Sequence, residues 1–83
     1  MTADEKADAA EDLTEKISAM LVGVDPDIIG GTLADLTSIW LAGHRIVDDG
    51  LATAKFRDEI LKGYIKLVHR LTKLNAKAMG TDY

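Results

Sequence analysis

A helix drawn through residues 25–47 has no side that belongs in water, and no other feature constrains the fold of this chain as much. Ile28, Ile29, Leu33, Leu36, Ile39, Trp40, Ile46 and Val47 fill one broad face of it, and Gly30, Gly31, Ala34, Thr37, Ser38 and Ala42 fill most of the other. Only Asp27, Asp35 and Arg45 carry formal charge there. Such a segment is a central helix packed on two sides, in a chain of 83 residues that is too short to supply both sides. Ordering the chain costs roughly 1.5 kcal/mol per residue, or about 125 kcal/mol in all, so a single domain of this size needs very good packing or outside help. With Cys 0 there is no covalent staple, and two histidines fall short of a closed structural zinc site. Self-association is the simplest remaining source of burial.

The amino-terminal residues are acidic where an export signal is basic, and no apolar run follows them. The most apolar window, residues 28–43, is too short to cross a bilayer and holds Asp35 in its middle. A cytoplasmic protein without a membrane partner is the expectation. The net charge of -4 opposes bulk attraction to polyanions, but it hides a division. Before residue 55 eleven acids face three bases, about -8; from Lys55 onward seven bases face three acids, about +4. An acidic first helix could therefore lie beside a basic third, within one chain or across a dimer, through exposed pairs worth under about 1 kcal/mol each.

Helical periodicity predicts an all-α chain of three helices, at about 3–22, 26–47 and 53–79, forming a helical bundle as a homodimer. Ala10, Leu13, Ile17, Met20 and Leu21 make the stripe of the first, which Gly23 stops, and its opening residues lack apolar anchors and are expected to fray. Asp25-Pro26 starts the second with a cap and a preset backbone angle. Thr32 and Asp35 imitate a competing start, and Gly30-Gly31 would cost up to about 2 kcal/mol inside a helix. The earlier start is preferred, because Ile28 and Ile29 continue the apolar face and glycines let another helix approach closely. Asp48-Asp49-Gly50 ends the second helix, and Thr53 caps a third whose apolar half runs from Phe56 to Leu74. At about 40 Å against about 33 Å, the third helix overhangs the second.

The sequence carries no catalytic signature, nucleotide loop or cofactor motif, and no metal site is assigned. His44, four residues before Asp48, could join it and His69 as ligands, but His44 suits the helix dipole and abuts Trp40, and His69 belongs to a solvated face. Asp35 borders an apolar arc and is expected to have a partner on the third helix or at a helix end. Ser18 and Ser38 have no base at a recognisable spacing. The expected function is a small non-enzymatic protein–protein interaction module, acting as adaptor, regulator or inhibitor. Its homodimer interface would involve Gly30, Ala34, Ile39, Trp40, Ile46, Leu67 and Leu74. The alternative is a nucleic-acid-associated regulator using the basic face Lys62, Lys66, Arg70, Lys73 and Lys77. A solvated or shielded face is the preferred account of those bases, and a metal- or ligand-binding bundle ranks third.

Overall fold

A computed structural model describes residues 1–83 as three α-helices and no strand: α1 (Ala3–Met20), α2 (Pro26–Ala42) and α3 (Gly50–Met79). The chain divides into two compact units, Met1–Asp35 and Leu36–Tyr83, with α2 contributing to both.

In the first unit, α1 opens on a capping box. Thr2 Oγ1 accepts from the Glu5 amide at 3.1 Å and Glu5 Oε1 accepts from the Thr2 amide at 2.9 Å, which satisfies two donors the helix cannot reach itself. The first turn lacks apolar anchors but is tied down by this reciprocal pair. The helix stops at Leu21, whose amide donates to Ile17 and Ser18, and Gly23 then turns the chain at φ 79°, a left-handed angle that favours glycine. Asp25 Oδ1 accepts from the Asp27 amide at 2.8 Å ahead of Pro26, so α2 begins where its cap signal lies. Gly30 and Gly31 are helical, and Thr32 is an interior residue whose hydroxyl donates to the Ile28 carbonyl at 2.8 Å. No atom of the chain stands within 4 Å of where a Cβ would be on either glycine, so the close approach expected there is not made within this chain.

In the second unit, α2 ends at Ala42 and not near residue 47. Each of its last four carbonyls has found a donor. Ile39 accepts from the Gly43 amide at 3.1 Å, Leu41 from the His44 amide at 3.0 Å, Trp40 from His44 Nδ1 at 2.8 Å and Ala42 from Arg57 Nη2 at 2.7 Å. Ile46 and Val47, assigned by periodicity to the helical face, therefore lie in the connecting loop. α3 begins three residues early, at Gly50, because Asp49 rather than Thr53 is the cap, its Oδ1 accepting from the Ala52 amide at 2.9 Å. Asp48 makes the turn before it at φ 60°, in a region that Asp tolerates better than most residues. At the far end Gly80, at φ 73°, closes α3 with Thr81 donating to Ala76 at 2.8 Å. The helices measure about 26 Å for α2 and about 45 Å for α3, so the overhang is larger than expected.

Thr53 is the one buried residue, 9% exposed, and no apolar side chain is buried. Its hydroxyl accepts from the Ile46 amide at 2.9 Å and lies 2.7 Å from the Asp49 carbonyl and 3.1 Å from the Ile46 carbonyl, between which its single proton is shared. Thr53→Val keeps the shape and orphans the Ile46 amide. A loss of about 1–3 kcal/mol is expected in urea denaturation, with Thr53→Ser close to the parent.

The capping box also has a pH signature. Hydrogen bonds from the Thr2 backbone and then its side chain hold the Glu5 pKa below its ordinary value. The stabilisation is therefore complete above the ordinary carboxylate range and is lost as pH falls through the lowered folded value. The Thr2 amide resonance should titrate with a midpoint below that of an unstructured glutamate, and Thr2→Ala, which removes the hydroxyl but keeps the backbone donor, should bring the Glu5 midpoint only part of the way back.

Candidate interaction face

The second unit gathers four of the chain's six rings where the end of α2 meets the start of α3. Trp40 and Tyr64 lie 5.4 Å apart between ring centroids, His44 stands edge-on to Trp40 at 5.1 Å, and Phe56 approaches His44 at 6.0 Å. These separations suit attractive edge and tilted contacts between rings. A carbonyl can only accept, so the 2.8 Å contact with Trp40 places the proton on His44 Nδ1 and orients the ring. Arg57 completes the joint, donating from Nε to the His44 carbonyl at 2.9 Å as well as from Nη2 to Ala42. A cation thus stands at the negative end of α2, and its planar fork spans two carbonyls.

The cluster is held together without being covered. Trp40 remains 46% exposed and Ile39 67%, and on α3 Leu74 is 60% exposed. Leu41, Ile60, Leu61 and Tyr64 are half-buried. The interface residues expected from sequence, Ile39, Trp40, Ile46, Leu67 and Leu74, are all exposed in this second unit. Gly30 and Ala34 are exposed in the first.

Other expected sites fall out differently. Asp35 is exposed rather than set against a covered apolar surface, and both it and Ser38 have interaction partners. No three His, Asp or Glu side chains converge to hold a metal ion, and His69 is exposed. No helix is long and apolar enough to cross a membrane. Lys62, Lys66, Arg70, Lys73 and Lys77 are all exposed on α3. Lys62 Nζ donates to Asp58 at 2.9 Å, and that hydrogen bond with the Asp58 charge raises the Lys62 pKa, in a pair too exposed to add much stability. An open depression of about 530 Å³ lies beside loop residues 45–49. Thr53 and Arg57 line it, and Thr53 Oγ1 and Arg57 Nε and Nη2 are already bonded to backbone groups of the loop and the end of α2.

Sequence reasoning missed Arg57 and Thr53 as joint-forming residues. No local pattern marks a side chain that reaches a carbonyl 13 or 15 residues back. Compared with known proteins, the chain matches no family model, no curated protein and no solved structure.

The joint gives a graded expectation. Arg57→Ala leaves the Ala42 and His44 carbonyls without their donor and should cost about 1–3 kcal/mol in urea denaturation. Arg57→Lys keeps the charge but loses the two-point fork, and should fall between the two.

Proposed function

We propose that this chain is a non-enzymatic interaction module that works as a homodimer, in the role of adaptor, regulator or inhibitor. The observation that carries the reading is the absence of a buried apolar side chain in the isolated subunit. Obligate homodimers cover about 1,000–2,500 Å² of largely apolar surface on each partner, and a second copy would cover side chains of this kind. The surface it would take is the exposed set on α2, the loop and α3: Ile39, Trp40, Ile46, Leu67 and Leu74. Gly30 and Ala34 lie in the first unit, on the other face of α2, and would offer a separate close-approach contact. A reducing cytoplasm suits a chain with no cysteine to oxidise.

Sedimentation equilibrium at micromolar concentration should return about 18 kDa, twice the 9.0 kDa of the chain, and the melting temperature should rise with concentration. Ile39→Lys should shift the mass toward the monomer. Gly30→Ala with Gly31→Ala meets no clash within the chain and should raise helicity by up to about 1 kcal/mol per site, while weakening the dimer. A monomer whose cooperative melt ignores concentration would overturn the reading.

A further inference from the structure

We infer that the polar face of α3 is a docking surface for the phosphate backbone of a nucleic acid. At roughly 100° per residue, Lys62, Lys66, Arg70, Lys73 and Lys77 fall within an arc of about 80°, over about 22 Å of helix. All five are exposed, Lys62 in an exposed and therefore weak pair with Asp58, and no acidic residue follows Glu59 before Asp82. Leu67, Leu71 and Leu74 occupy a different arc of the same helix, so covering them with a second copy leaves the cations facing outward. Only the doubling of the stripe rests on the dimer reading; a single subunit already carries a complete one.

Two occupants fit a row of cations, and magnitudes choose between them. An acidic helix is one, since Asp4, Asp8, Glu11, Asp12 and Glu15 repeat on α1 the spacing of residues 62, 66, 69, 70 and 73, all of them cations but His69. Exposed carboxylate–ammonium pairs are individually weak, and five of them do not repay the cost of joining two bodies. A nucleic acid carries condensed counterions, and each phosphate neutralised releases them, so the same five cations bind it far better than they bind carboxylates. The acids of α1 repel such a ligand over a range limited to about 8 Å at physiological salt. They lower the affinity without abolishing it.

Fluorescence anisotropy with labelled single-stranded and duplex oligonucleotides of arbitrary sequence tests this directly. Binding is expected at 50 mM NaCl, weakening by about two orders of magnitude at 200 mM. The double-logarithmic slope per subunit should be about -3.5 for single strands and about -4.5 for duplex. Lys66→Glu with Lys73→Glu should weaken binding at least tenfold while sedimentation mass stays that of the parent. Lys66→Gln with Lys73→Gln gives the same reading should the reversal disturb folding. No binding at 50 mM NaCl, unchanged affinity in the neutralised variant, or equal binding of poly-glutamate would each overturn the inference. Loss of the dimer with oligonucleotide binding retained would overturn only the dimer reading.

Discussion

Apolar side chains that the subunit does not cover set the terms for everything else in this protein. Folding must offset the conformational entropy of every ordered residue, and the usual source is apolar surface removed from water. Here the deepest residue is a threonine, and the large side chains of all three helices stay at least partly wet. What organises the isolated chain is mostly local: a capping box, an Asp-Pro start, an Asp cap and a glycine closure. Helices of 17 and 18 residues are only marginally stable on such signals alone. The 30 residues of α3 are better placed, but its exposed leucines carry the same deficit. Additional burial from a second surface would offset that deficit.

The polar joint between α2 and α3 has a different job. Arg57, Thr53 and His44 hold the last turn of α2 and the loop against the first turns of α3 through hydrogen bonds that need no core. That fixes Trp40 beside Tyr64 and keeps both from collapsing onto other apolar surface. A face organised before its partner arrives loses less entropy on association than a flexible one. The joint thus converts uncovered apolar residues from a liability into a shaped surface.

Much of this architecture is legible in the residues. Asp25-Pro26, Gly23 and Gly80 mark boundaries by backbone chemistry that acts within a few residues, and Ile28 and Ile29 carry the helix correctly through the Gly30-Gly31 pair. The Thr2 and Glu5 capping box is equally local, but it lies in the opening residues expected to fray and was not among the expected caps. The end of α2 was not legible either. Ile46 and Val47 continue the apolar period, so pattern alone extends the helix, whereas Arg57 captures the Ala42 carbonyl and Thr53 holds Ile46 in the loop. Exposure was the other hidden quantity. A stripe such as Leu67 to Leu74 has the same sequence whether it faces its own chain or another, and only coordinates separate the two.

The layout of α3 gives its two surfaces a logical order. Its leucines are exposed and its cations lie on another arc, so a contact at one would not compete with a contact at the other. A symmetric dimer would carry two such stripes on one particle. Attachment at one raises the effective concentration at the other wherever the ligand can span both. Pairing would thereby strengthen a site that each subunit already carries whole, and subunit concentration would set the avidity.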